Sequence, residues 1–131
     1  MKVLVTGGSG MVGNCIKREC GNHKDDEFIF LSSKDGDLTN KEEANAIFEK
    51  HRPDYVIHLA ANVGGLYKNM KYRVEMLRDN LLMNEYVLEM CNKYNVQKGL
   101  FCLSTCIFPH DPSKFPMTEE MMNDSSPHPS N

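Results

Sequence analysis

"KVLVTGGSGMVG", residues 2–13, is the stretch whose reading decides the fold. Residues 2–6 are a short β-branched apolar run stopped by glycines, the pattern of a buried strand. Met11, Val12, Cys15 and Ile16 then recur at helical spacing over 10–20, and Gly21 reads as the stop. Between strand and helix, Gly7, Gly10 and Gly13 form a G-x-x-G-x-x-G turn. A tight strand-to-helix turn wants a residue without Cβ. A bound phosphate has to reach backbone N–H groups with no side chain in the way, and the helix has to pack close to the strand. The helix N-terminus then offers unpaired donors and the positive end of its dipole to an anion. After a strand and before a helix, this loop reads as a cradle for a dinucleotide diphosphate. A P-loop is excluded because no Gly-Lys-Ser/Thr follows.

The same alternation continues outward. "EFIFLSS" (27–33) reads as a second strand. "TNKE" (39–42) has the form of a capping box, followed by Ala44, Ile47 and Phe48 on one helical face, and Pro53 closes that helix. "DYVIHLAA" (54–61) is a third strand. Residues 69–94 are a long helical stretch with Val74, Leu77, Leu81, Leu88 and Cys91 near one stripe, and "GLFCLS" (99–104) is a fourth strand. Apolar strands alternating with helices predict an α/β fold, a Rossmann-type doubly wound parallel sheet. Five of the six prolines lie beyond Phe108, so a core over 1–108 is expected to lead into a Pro-rich loop or tail over 109–131.

At 131 residues the chain is long enough for one domain with a real core. A net charge of −3 without a basic cluster argues against nucleic-acid binding. No apolar run approaches the roughly 18 residues of a membrane span, so a cytoplasmic protein is expected. The five cysteines, an odd number, read as free thiols. Cys15, Cys20 and His23 lack the paired spacing of a zinc site, and no metal is expected.

The second strand ends in Leu31, Ser32, Ser33 and Lys34, with no acid at the tip to accept from a ribose 2′-hydroxyl. Two hydroxyls and a cation suit a 2′-phosphate, which favours NADP(H) over NAD. "FCLSTCIFP" (101–109) raises a second question, because two hydroxyls and a thiol stand where a buried strand surfaces. They either cap the strand end or face a reacting molecule. His58 reads as a satisfied core histidine, and Met76, Met83 and Met90 as packing.

"VTGGSGMVG", "SSKDGDL", "VIHLAANVGGL" and "LSTCIFP" together resemble the extended short-chain dehydrogenase/reductases of the NAD-dependent epimerase/dehydratase family, over essentially the whole chain. The resemblance implies an NADP-dependent epimerase-reductase acting on a nucleotide sugar, GDP-4-keto-6-deoxy-mannose, and a homodimer in full-length members. It implies that Gly7, Gly10, Met11, Val12 and Gly13 hold the diphosphate, and that Ser33 and Lys34 meet the ribose phosphate. Asp37 and Leu38 would lie beside the adenine, and Leu59, Ala60 and Ala61 under the cofactor. Val63, Gly64 and Gly65 would form a loop near the nicotinamide and sugar, and Asn80 matches an asparagine of the long central helix. Ser104 would be the catalytic serine, and Cys106 the acid/base that moves protons at C3 and C5. A thiol with a pKa near about 8.5 can be tuned toward that work. Thr105 is expected on the opposite side of the strand, and Cys102 in the core.

The family's Tyr-x-x-x-Lys pair does not fall within these residues. Tyr94 and Lys98 have its spacing but precede Ser104, and neither His110 nor His128 takes the place of the family's second acid/base. The chain by itself is therefore expected to bind NADP weakly and to turn over no substrate. Without the helix that carries the pair, Leu77, Leu81 and Leu88 are expected to be partly exposed and to drive self-association. Two other readings remain open: a non-catalytic NADP-binding or regulatory module, and a different nucleotide-sugar epimerase or dehydratase with no need of Cys106.

Overall fold

The computed structural model describes residues 1–23 and 25–127. It falls into two compact units, Met1–Phe101 and Cys102–Asn131, so the division lies at the end of the fourth strand, ahead of the change in composition at Phe108. In the first unit the elements run β1 (Lys2–Thr6), α1 (Met11–Glu19), β2 (Glu27–Phe30), α2 (Lys41–His51), β3 (Tyr55–His58), α3 (Leu66–Lys71), α4 (Arg73–Lys93) and β4 (Lys98–Phe101). The strands form one parallel sheet in the order β2-β1-β3-β4. The path steps outward from β1 to β2, then back across β1 to β3. Right-handed crossovers in opposite directions place α1 and α2 on opposite faces of the sheet. The reversal opens a crevice at the carboxyl ends of β1 and β3, where folds of this kind bind ligands.

The core lies on the α2/α4 face. Leu4, Leu31, Leu38, Ala44, Ile47, Phe48, Val56, Met83, Val87 and Met90 are buried together there. Val3 and Val5 alternate to the other face and are also buried, as expected of a central parallel strand.

Several local expectations are corrected. The cap of α2 is Asn40, not Thr39: its side chain accepts from the Glu42 and Glu43 amides at 3.0 and 3.1 Å. The Thr39 hydroxyl is already committed, donating to Asp37 Oδ1 at 2.7 Å. As expected, α2 closes just before Pro53, with Arg52 as its C-cap in a left-handed conformation (φ 46°). The stretch 69–94 is two helices that meet at Tyr72. As expected, Met76, Met83 and Met90 pack on the buried side of α4, together with Val87. Leu77, Leu81 and Leu88 are exposed, as expected, and Val74 of the same stripe is exposed with them, whereas Cys91 packs against the core. All strands but β1 are shorter than their apolar runs, because the chain curves away after Phe30, His58 and Phe101.

In the second unit, single 3₁₀ turns span Thr105–Ile107 and Glu119–Asn123, and Met121 is buried. His128 lies outside the described residues. No helix among the described residues is long and apolar enough to cross a membrane.

Candidate functional site

Gly7 stands at φ +65°, a conformation that costs an L-residue roughly 1–2 kcal/mol. A Cβ there would sit 2.8 Å from Ala60 N and from the Leu59 carbonyl carbon. The turn is thus pressed against the exit of β3, leaving no room for a side chain. Gly8 N donates to Leu31 O at 2.7 Å and Gly10 N to Gly7 O at 2.9 Å. At Gly13 a Cβ would meet Gly8 Cα and O at 2.6 Å, so α1 lies directly on the loop it leaves. Asn14, which sequence reading passed over, binds the loop from the helix side: its Nδ2 donates to Ser9 O and Gly10 O, both at 2.9 Å. No side chain caps α1, and its first turn holds no acid. The first amides of α1, those of Met11, Val12 and Gly13, thus have no capping side chain to accept from them, and the positive end of the helix dipole lies at this end.

At the β2 end, Ser33 and Lys34 are exposed, and among the described residues Lys34 has no ion-pair partner. An acid is in fact present at this tip. Asp35 folds back so that Oδ2 accepts from Ser32 N at 2.7 Å and from Ser32 Oγ at 2.8 Å. These bonds hold its carboxyl below the usual carboxylate range. Sequence reading missed it because it reaches the tip only through this turn. Asp37 likewise serves the chain: Oδ1 accepts from Thr39 N and Oγ1, while its amide donates to Glu43 Oε2 at 2.8 Å. Leu38 is buried in the core.

Beyond β3, Leu59 N and Ala60 N both donate to Thr6 Oγ1 at 3.1 Å. Asn80 and Asn62 clasp each other: Asn62 N donates to Asn80 Oδ1 at 2.7 Å, and Asn80 Nδ2 to Asn62 O at 2.9 Å. Asn62 Nδ2 also donates to Asp79 Oδ2, while Lys68 Nζ holds Asn62 Oδ1 and Val63 O. Arg78 first, then Asn62, keeps the Asp79 carboxyl below its ordinary range. Asn80 thus fixes the backbone just before Val63, Gly64 and Gly65, which are exposed together with Ala61. The first unit therefore brings the glycine loop, the β3 exit and the Asn80 clasp together around the ends of β1 and β3.

Ser104 and Cys106 belong to the second unit. Ser104 is the N-cap of a 3₁₀ turn, its Oγ accepting from Cys106 N at 3.2 Å. The strand has ended by Phe101, so strand alternation does not govern Thr105, which lies within the turn. Cys102, expected in the core, is exposed, as is Cys106.

A glycine turn that no Cβ could enter, at the reversal of a parallel α/β sheet, defines a Rossmann-type nucleotide-binding domain. Residues 3–131 match the NAD dependent epimerase/dehydratase family, and the chain belongs to it. It is 49% identical over 98% of its length to a GDP-L-fucose synthase of Dictyostelium discoideum. It is 46% identical over 99% of its length to a probable GDP-L-fucose synthase of Drosophila melanogaster. The chain spans 41% of the length of each of these relatives. A crystal structure of a GDP-L-fucose synthetase from Naegleria fowleri bound to NADP superposes with a TM-score of 0.84 at 40% identity, covering 99% of this chain and 38% of that one.

Proposed function

We propose that these residues are the N-terminal, cofactor-binding part of an NADP-dependent epimerase-reductase that converts GDP-4-keto-6-deoxy-D-mannose to GDP-L-fucose in the cytoplasm. We read 1–108 as the NADP-binding core and 109–131 as the segment leading toward the rest of the enzyme. The observation that carries the reading is the cradle at Gly7, Gly10 and Gly13. Added Cβ atoms there would strike backbone at 2.8, 3.2 and 2.6 Å respectively, and the uncapped amides of α1 lie beside it. The residues present therefore fit a dinucleotide diphosphate, and the similarity to an NADP-bound enzyme supports its identity.

In this reading the amides of Met11, Val12 and Gly13 donate to the diphosphate. Ser33 and Lys34 bind the ribose 2′-phosphate, while Asp35 is kept occupied by Ser32. The backbone at Asp37 and Leu38 borders the adenine, the Leu38 side chain being buried in the core, while Leu59 to Ala61 support the cofactor and Val63 to Gly65 border the sugar. When bound, NADPH supplies hydride to C4 of the sugar. The C4 carbonyl makes the protons at C3 and C5 acidic, because it delocalises the charge left behind. Cys106 removes and returns those protons, and the Ser104 hydroxyl donates to the C4 oxygen as negative charge develops there. The exposed face of α4 at Val74, Leu77, Leu81 and Leu88 supports a homodimer.

Two experiments test this. Calorimetry of the chain with NADP and NAD is expected to show weak binding that favours NADP, abolished by Gly10→Val. In a chain extended to the length of the relatives, Cys106→Ser is expected to stop solvent-deuterium incorporation at C3 and C5. Undiminished incorporation would favour a different nucleotide-sugar enzyme of the family.

A further inference from the structure

His58 is nearly fully buried at 2% exposure and has no part in the chemistry above, yet both of its ring nitrogens are engaged. Nδ1 lies 2.7 Å from Thr6 Oγ1, and Nε2 lies 3.1 Å from Asn84 Oδ1. The direction of each bond follows from counting protons. The Thr6 hydroxyl oxygen has two lone pairs, one facing the Ala60 N–H and the other the Leu59 N–H, which is shared with the Thr6 carbonyl at 3.3 Å. Its own proton is then free only to point at His58 Nδ1. That nitrogen must be bare, so the neutral ring carries its proton on Nε2, which donates to Asn84 Oδ1. Every bond in the row then runs one way, from the Ala60 amide to Thr6, to His58, to Asn84 on α4. The Phe101 ring, 5.4 Å from the imidazole centroid, closes the site on another side.

Thr6 immediately precedes Gly7, and Ala60 N is the atom a Cβ on Gly7 would strike. The Thr6 hydroxyl therefore sets how the β3 exit sits beneath the glycine turn. We propose that Thr6, His58 and Asn84 are positioning residues, a one-way hydrogen-bond relay from α4 that fixes the glycine turn against the β3 exit and depends on the Nε2–H tautomer of His58. Its effect on ligand affinity rests on the nucleotide-binding reading above; the relay itself does not.

The test combines heteronuclear NMR of the imidazole with NADP titration of the wild-type chain, Thr6→Val and Thr6→Ser. The expected spectrum at neutral pH shows a single tautomer with Nδ1 unprotonated, and Asn84→Ala erodes that preference. A ring protonated on Nδ1, or averaging between tautomers in the wild type, overturns the relay. Thr6→Val keeps the shape but loses the hydroxyl. It is expected to speed exchange of the Ala60 amide and to weaken NADP about fivefold to tenfold, the scale of one buried hydrogen bond. Thr6→Ser, which restores the hydroxyl, is expected to return both to near wild type. A folded Thr6→Val chain with unchanged Ala60 exchange and unchanged affinity overturns the relay. If the wild type bound no nucleotide, the proposed function would be in difficulty, while ring tautomer and Ala60 exchange would still decide the relay.

Discussion

Replacing Gly13 with alanine sets helix propensity against packing. Gly13 lies inside α1, where alanine is favoured over glycine by about 1 kcal/mol. Packing acts the other way. The new Cβ would stand 2.6 Å from Gly8 Cα, 2.6 Å from Gly8 O and 2.7 Å from Gly7 O. All three are backbone atoms, so no side chain can rotate away. To reach an ordinary contact, helix and loop must part by about 0.8 Å, and overpacking of this kind costs about 1–3 kcal/mol. A net loss of up to about 2 kcal/mol is expected, a fall in Tm of up to roughly 7 °C. The same movement carries the Met11 and Val12 amides off their positions and weakens NADP binding about tenfold, as expected when aligned donors lose their geometry. Gly21→Ala is the control. It has nothing within 4 Å of its added Cβ, and its φ is not left-handed. That substitution is expected to be neutral or to stabilise by up to about 1 kcal/mol. Thermal denaturation and calorimetric titration read both variants. A Gly13→Ala chain as stable as wild type, with unchanged affinity, would refute the claim that α1 rests on the glycine loop.

Asn40→Ala removes two amide partners from the start of α2 and is expected to cost about 1 kcal/mol in urea unfolding, against much less for Thr39→Ala. Burial lowers the His58 pKa from 6.5, so the folded state resists a proton that the unfolded chain accepts. Stability is then complete above about pH 6.5 and falls as the pH drops below it; His51, lowered the same way, leaves part of that slope in His58→Gln. Burial pushes the Cys91 thiol from 9.0 up to about 11, so stability is expected to fall as pH rises through that window. Maleimide at pH 8 is expected to label the exposed Cys102 and Cys106 well before Cys91. Leu81→Lys places a charge on the apolar face of α4 and is expected to reduce self-association in analytical ultracentrifugation.

Much of the architecture was legible because it rests on short-range signals. An apolar run, a glycine turn and an amphipathic stretch each carry their own physics, and the parallel sheet follows from their order. The features that escaped depend on competition between neighbours. Thr39 and Asn40 are both good caps, and only the capture of the Thr39 hydroxyl by Asp37 decides between them. Asp35 is three residues from the tip it serves, and a turn has to bring it back. On α4 the methionines were read as packing and Leu77, Leu81 and Leu88 as exposed, both as found, but nothing in the periodicity singled out Val87, which fills the core beside the methionines. Cys102 looked like core because its run is apolar, but the strand stops one residue earlier. For the site, the glycine loop was readable from spacing alone, whereas Ser104 and Cys106 were reached only through resemblance.

A crystal structure of this chain grown with NADP bears most directly on the central claim. The account predicts the diphosphate within hydrogen-bond reach of the Met11 and Val12 amides, Gly7 still pressed on Ala60, and the 2′-phosphate beside Ser33 and Lys34. Nucleotide bound elsewhere, or a glycine loop rearranged so that those amides turn inward, would contradict it.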